Sequence, residues 1–363
     1  MQDSKMDRRA FLGVMAGAAA TVAVSGLAGC AGEAAPGNSN AAGNATNAAN
    51  TNTAANANTT NAAASHSKLE HETTSSSAPA VYMTTAITPA GLQAAYDALG
   101  FTPTGKVAVK VSTGEGTNSN YLRASLVGDF VKGLSGTIVE CNTAYGGNRN
   151  TTEKHLKTAA DHGFTAFAEV DIMDADGSMS LPVTGGKHLT EDLVGAHFSN
   201  YDSWVSLAHF KGHAMGGFGG AVKNCSIGIA SSEGKALIHN GGTYGSLNWG
   251  ADQDAFLESM AEASKAVADQ LGDRIVYVNV MNRISVDCDC DGNPAEPTMA
   301  DVGILASTDP VAVDQACVDL VYAADDGAAV VQRIESRNGL LTLQHAAEIG
   351  LGSREYRLVS LDA

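Results

Sequence analysis

The chain has 363 residues, with 39 acidic against 22 basic side chains and a formal net charge of −17. That balance excludes the basic footprint with which proteins neutralise nucleic-acid phosphates, so no nucleic-acid partner is expected. The length allows a large core, in one large domain or two closely joined ones.

In chain order, the first feature is Asp7-Arg8-Arg9-Ala10-Phe11-Leu12, a twin-arginine start, followed by an apolar run from Gly13 to Ala28. The run is short and rich in Ala and Gly, too weak for a stable membrane span and suited to an export signal. It ends in Leu27-Ala28-Gly29-Cys30, which reads as a lipobox with Cys30 as the lipidated residue. The alternative is an ordinary cleaved signal with an incidental cysteine. Residues 1–30 are thus expected to be a twin-arginine lipoprotein signal. It would place the protein on the extracytoplasmic face of the membrane, with the bilayer as partner through Cys30. Residues 31–79 are nearly all Ala, Asn, Thr, Ser and Gly, a composition expected of a flexible tether. The globular body is then 80–363, with possible subdomains 80–200 and 201–363.

Within the body, Lys106–Val111 alternates as a strand and leads through a polar loop into a helix from about Tyr121 to Leu134. Thr137–Glu140 is a second strand, and Thr151–His162 a helix. Ser203–Ala208 is a strand, Asp252–Leu271 an amphipathic helix, and Arg274–Val280 a strand. Val302–Ala306 is a short strand, and Pro310–Tyr322 a helix that starts at Pro310 after Asp309. Strands alternating with helices predict an α/β fold of mixed or mostly parallel sheets with flanking helices. Functional loops belong at the strand carboxyl ends.

The densest chemistry lies between His209 and Asn240. After a strand, Gly216-Gly217-Phe218-Gly219-Gly220 permits positive φ and close approach, as either a tight turn or a ligand seat. It has neither the lysine placement of a Walker loop nor dinucleotide-fold spacing. Lys223 and His239 follow His213 by ten and twenty-six residues. A lysine in such a loop can be nucleophilic, and neutral imidazole suits both nickel or zinc ligation and proton transfer.

Five cysteines remain beyond Cys30, an odd number that cannot form a complete disulfide framework. Cys288 and Cys290 are too close in sequence for a relaxed disulfide and more naturally face one ligand. In Asp287-Cys288-Asp289-Cys290-Asp291 they could hold a zinc, nickel or iron ion, with His209 or His213 completing the set. The alternative is two reduced cysteines in an acidic turn. Acidic neighbours raise thiol pKa unless a cation is near, which favours a cation. Cys225, Cys141 and Cys317 read as buried core residues. His155, His162, His188 and His197 show no ligand spacing and read as surface groups. Asp301, Asp309 and Asp314 read as helix-end groups. Asn118, Asn120, Arg123, Tyr145 and Arg149 sit in loops that could line the same cleft.

Over nearly all of the body the chain resembles the uncharacterised family catalogued as domain of unknown function 362. The likeness is carried by Thr117–Arg123, Ser206–His213, Gly217–Asn224, Asp287–Cys290 and Ile349–Tyr356. Relatives often add a ferredoxin-like module, but no C-x2-C-x2-C run occurs here, so no iron–sulfur cluster is expected. Relatives also often carry a cysteine where this chain has Ile229; here Cys225 lies four positions earlier. Locally, His213, the Gly-Phe stretch, Lys223 and His239 also resemble nickel-pincer lactate racemases. That resemblance implies Lys223 as cofactor attachment point, His239 as metal ligand and His213 as proton-transfer group. The second racemase base has no clear counterpart, since His155 belongs to a helix.

The sequence therefore suggests a metal-dependent enzyme or cofactor carrier for a small carboxylate-bearing molecule. Its expected catalytic residues are His213 and Lys223. Gly217, Gly219, Gly220, Lys223 and Asn224 are the expected cofactor contacts, and His239, Cys288, Cys290 and His209 the expected metal ligands. A non-catalytic metal- or metabolite-binding lipoprotein, or an interaction domain of an envelope complex, remains open.

Overall fold

The computed structural model describes residues 69–116 and 119–362. Cys30, the signal and most of the tether lie outside the described residues. Chain order gives β1 (Ala80–Thr84), α1 (Pro89–Asp97), β2 (Val107–Lys110), α2 (Ala124–Gly133), β3 (Thr137–Glu140), α3 (Thr152–Asp161) and β4 (Val170–Ile172). A hairpin follows, β5 (Ser178–Pro182) with β6 (Glu191–Gly195), then β7 (Ser203–His209) and a short hairpin of β8 (Lys211–His213) and β9 (Gly217–Gly219). The remainder is α4 (Ala221–Cys225), α5 (Ser232–His239), α6 (Gln253–Leu271), β10 (Ile275–Met281), β11 (Gly303–Ser307), α7 (Pro310–Ala323), α8 (Ala328–Ser336), α9 (Leu341–Glu348) and β12 (Arg357–Ser360).

Eight strands form one sheet in the order β12-β1-β11-β10-β7-β2-β3-β4. From β10 to β4 all neighbours are parallel; β11 runs antiparallel to both β10 and β1. This is the mostly parallel α/β fold with flanking helices that the strand–helix alternation predicts. Both faces of the sheet are buried, which is why its central strands are nearly all apolar. Val107, Val109, Val205, Leu207, Val276 and Val278 pack with α1 and α2 on one face. The intervening Ala108, Trp204 and Tyr277 pack with α4, α6 and α7 on the other. Helix starts are capped as their sequences suggest: Asp252 accepts from Ala255 N, and Asp309 from Val311 N and Ala312 N, all at 2.9 Å.

Three expectations change. The body begins before residue 80: Leu69 is buried in the core, His71 pairs with Asp319, and Thr73 N donates to Tyr356 O. The split near residue 200 disappears, because strands from both halves join in one sheet and the described residues form one compact unit. Of the four histidines read as surface groups, two are buried and two only partly exposed. His155 and His162 are buried, and His188 and His197 are half-buried against Glu258 and against Asp171 and Asp176. His155, Thr158, Ala159 and His162 recur at helical spacing and make up the inner face of α3, a polar face that hydropathy alone does not reveal. Among the described residues no helix is long and apolar enough to cross a membrane.

Asp314, fully buried in α7, ties three elements together. Its carboxylate accepts from Ala221 N (2.7 Å) and Val222 N (3.0 Å) at the start of α4 and from Asn279 Nδ2 (2.7 Å) of β10. It does cap a helix, but one belonging to another part of the chain. Asp314→Ala is expected to strand these buried donors and cost about 2–4 kcal/mol in chemical denaturation. An unchanged midpoint would show that α4 does not depend on the carboxylate.

Candidate metal and thiol centre

The centre forms where β7 and β10 end side by side. Beyond β7 the chain enters the β8–β9 hairpin; beyond β10 it runs through Asn282 and Ser285 to the turn holding Cys288 and Cys290. Phe210 N donates to Val280 O (2.9 Å) and Gly212 N to Ser285 O (2.8 Å), so the two segments lie against each other. Gly212 makes this possible, because Val286 backbone occupies the space that a Cβ would need. The pairing sets His213 opposite the cysteine turn.

Asp289, between the two cysteines, is fully buried and anchors that turn. Its carboxylate meets His209 Nδ1 at 2.8 Å and Lys211 Nζ at 3.0 Å, while its carbonyl accepts from Glu115 N (2.8 Å) and Ser119 Oγ (2.9 Å). Burial alone would raise its carboxyl pKa; His209 and Lys211 hold it below the usual range. The reciprocal effect keeps Lys211 charged: burial disfavours its ammonium, and Asp289 together with the neighbouring Cys288 and Cys290 more than offsets that. From the other side, Arg333 donates to Val286 O (2.6 Å) and pairs with Asp287 (3.0 Å).

With Asp289 drawn away, the flanking thiols face His213. One ligand atom each from His213, Cys288 and Cys290 lies within 4.8 Å of the others, a group that could hold a metal ion. All five described cysteines are free thiols. Contact with the Cys290 thiol lowers the Cys288 pKa well below the ordinary thiol range; burial opposes this, and the nearby Lys223 cation reinforces the lowering. The same contact and burial push Cys290 well up, so the two thiols titrate as a pair. Cys290 N also donates to Cys288 Sγ (3.4 Å). The cation that the acidic turn requires is therefore supplied in part by the protein itself, by Lys223.

The ring orientations assign the imidazoles different roles. His213 Nδ1 accepts from Gly216 N (2.8 Å) and Met215 N (3.2 Å), so the proton of the neutral ring sits on Nε2, 4.0 Å from Cys290 Sγ. His239 has the opposite tautomer: Nδ1 donates to Lys235 O (2.6 Å), and Nε2 has no hydrogen-bond partner among the described residues. A ring N–H on a backbone carbonyl is the usual support of a metal-ligating histidine. Burial holds His213 below the ordinary imidazole range and brings His239 down to about 3, with Lys223 adding to both. His239 is thus close enough to feel Lys223 and His213, although it lies outside the thiol group.

Other expected residues are placed differently. His209 is not available as a metal ligand, because its two nitrogens meet Asp289 and Asn282 O (2.6 Å). Asn224 is not free for a cofactor: its amide donates to Lys110 O (3.0 Å) and Ser206 Oγ (2.9 Å) and accepts from Lys110 Nζ (3.3 Å). Gly217, at φ +77°, presses against Gly339 and Ile334, and Gly220 against Asp314, so these glycines serve internal packing instead of a ligand cradle. Gly219 faces the Lys223 side chain. Lys223 is half-buried, and its ammonium makes no hydrogen bond or ion pair among the described residues. Cys225, Cys141 and Cys317 are buried, as expected of core residues.

A buried charged frame went unread. Lys110 and Glu140 close β2 and β3 and meet at 3.6 Å; Arg149 bridges Glu140 (3.5 Å) and Glu115 (2.9 Å), and His155 approaches Glu140 at 3.4 Å. Lys235, also buried, donates to Ala230 O (2.5 Å). The available signal was a charge ending an otherwise apolar strand, twice, at Lys110 and Glu140.

Buried thiols and imidazoles at the carboxyl edge of a mostly parallel sheet define an α/β protein with a candidate metal site. The chain belongs to the family described as Domain of unknown function (DUF362), whose pattern matches residues 107–319. Among solved structures it is similar to the lactate racemase apoprotein from Thermoanaerobacterium thermosaccharolyticum, at 14% identity and TM-score 0.35, over 55% of this chain and 50% of that one. A Thermotoga maritima protein is similar at 13% identity and TM-score 0.33, over 72% of this chain and 58% of that one. The chain thus spans only about half the length of these structures. No curated protein matches it.

The depressed His239 pKa has a pH signature. Between about 3 and the ordinary 6.5 the unfolded chain binds a proton that the folded ring refuses, so stability is lost as pH falls through that window. His213 and His155, lowered chiefly by burial, add to the loss. His239→Gln is expected to flatten the dependence of unfolding free energy on pH there by up to about 1.4 kcal/mol per pH unit. Denaturant titrations across the window would read this, and an unaltered slope would count against a buried neutral ring.

Proposed function

We propose that this protein binds a borderline transition-metal dication, nickel, zinc or iron, through Cys288, Cys290 and His213. In this reading it uses the metal on a small carboxylate-bearing molecule. The observation that carries this reading is the approach of two sulfurs and one imidazole to within 4.8 Å of one another. Two thiolates and a nitrogen form a three-ligand set that leaves a coordination position for a ligand. The thiols lead, because Cys288 is already held well below the ordinary thiol range, whereas His213 carries its proton on Nε2 and must move it to join. When bound, such an ion supplies Lewis acidity toward a carbonyl or carboxylate oxygen. Lys223, a cation without a partner among the described residues, suits the anionic end of the small molecule. His239, neutral with a free Nε2, suits proton transfer or a further ligand position.

Reduced protein is expected to take up a single equivalent of nickel or zinc, with affinity falling as pH drops, because every ligand must be deprotonated. Elemental analysis should show loss of metal in Cys288→Ser, Cys290→Ser and His213→Ala. Metal retained by the double cysteine variant would overturn the assignment. In the same samples, a mass adduct lost in Lys223→Ala would identify Lys223 as a cofactor attachment point.

One observation favours a second reading. The His213 tautomer directs an N–H toward the sulfur pair, which suits a thiolate–imidazole pair acting as a nucleophile without metal. Fast alkylation of Cys288 in a chain that binds no metal would select it.

The proposal includes place as well as chemistry: the twin-arginine start and the Leu27–Cys30 lipobox support a lipid anchor at the extracytoplasmic face. Radiolabelled palmitate is expected to enter the expressed protein and to be lost in Cys30→Ala. Equal labelling of both would remove the anchor.

A further inference from the structure

The loop between α5 and α6 stands apart from the packing around it. Tyr244 and Trp249 within it are 62% and 45% exposed, among the few large apolar side chains left open to solvent. Most of its hydrogen bonds are internal. The Asn240 side chain donates to Thr243 O (3.2 Å) and Ser246 O (3.1 Å) and accepts from Asn248 N (2.8 Å), and Ala251 N donates to Asn248 O (3.2 Å). One side chain thus ties the loop into a compact unit. At its base, Gly241 and Gly242 adopt φ +61° and +83°, a conformation that only glycine holds without strain. Its external polar tie is an exposed hydrogen bond from Tyr244 OH to Glu191.

Trp249 is what this unit brings to the centre. Its ring lies 5.9 Å from that of Tyr145 and 6.1 Å from that of His239, centroid to centroid. Tyr145 belongs to the loop after β3 whose Asn148 and Arg149 bond Glu115, and Glu115 N donates to the carbonyl of Asp289 between the two cysteines (2.8 Å). His239 stacks on Phe256 of α6, and Gln253 at the start of that helix donates to Met215 O (2.7 Å), two residues from His213. The indole therefore spans two walls of the centre that come from different parts of the chain, and does so half in solvent.

We propose that residues 243–251 form a flap over the thiol centre and that Trp249 is its closing residue, limiting by size the small molecules that reach Cys288 and Cys290. The inference concerns the site of the proposed function, yet it holds for any reagent that must reach the thiols, with or without metal.

The test is thiol labelling of the full-length, metal-free, reduced protein with iodoacetamide and with a bulky fluorescein maleimide, located by peptide mass. Trp249→Ala is expected to raise bulky-reagent labelling at Cys288 and Cys290 several-fold, with a much smaller change for iodoacetamide. Buried Cys141, Cys225 and Cys317 report unfolding, since they react only if the body opens. Should Trp249→Ala unfold, Tyr244→Phe decides: it frees the tie to Glu191 and is expected to speed bulky labelling while the three buried thiols stay protected. Wild-type labelling rates in whichever folded variant is read would overturn the flap. Faster labelling in a chain that takes up no nickel or zinc keeps the flap and removes the metal reading. Metal uptake with unchanged labelling does the reverse.

Discussion

The buried carboxylate of Asp289, held between His209 and Lys211, is the contact on which the centre depends. A Cys-x-Cys segment can present both thiols to one side only if the residue between them is content to point the other way. Here that residue is a charge, and a buried charge is tolerated only with partners; removing one partner of such a pair costs on the order of 3–5 kcal/mol. β7 and β8 supply both partners within three residues, at the point where the parallel strands end. The turn is thereby fixed to the sheet edge, and the Asp289 charge is neutralised before it can disfavour a neighbouring thiolate. Contact with the Cys290 thiol and the nearby Lys223 cation then hold the Cys288 pKa low.

The same economy of charge governs the other wall. Lys110, Glu140, Arg149 and His155 sit at or just beyond the ends of β2 and β3, where the sheet stops offering backbone partners and a polar frame can be assembled. Neither Lys110 nor Glu140 would be stable alone at such depth. Together they carry the frame across to Arg149 and Glu115, and Glu115 N donates to the carbonyl of Asp289. The two walls are parts of one hydrogen-bonded assembly.

Much of the scaffold was legible because local rules and the tertiary structure agree. The strands at Thr137–Glu140 and Ile275–Met281 and the helices beginning at Gln253 and Pro310 fall within a residue or two of where alternation, helical spacing and capping place them. That the Cys288–Cys290 turn meets an imidazole of the His209–His213 segment was anticipated, on the argument that strand ends converge, but which of the two was not. Ring chemistry was not legible. Whether an imidazole is a ligand depends on what its other nitrogen meets, and for His209 that partner is a carbonyl seventy-three residues away. Nor could the sequence show that Gly217 and Gly220 admit Gly339 and Asp314, because a glycine required by another part of the chain looks the same as one required by a ligand.

The sequence by itself determined the parallel α/β scaffold, its helix caps, and the presence of two thiols with one spacer, since each depends on residues close along the chain. Tertiary structure alone decided which histidine faces those thiols, where the spacer's charge goes, and that Lys223 and His239 share their surroundings. The physical reason is that a proton's position and a buried charge's cost depend on partners a few ångströms away, brought there by parallel strands that the chain reaches only after long crossovers.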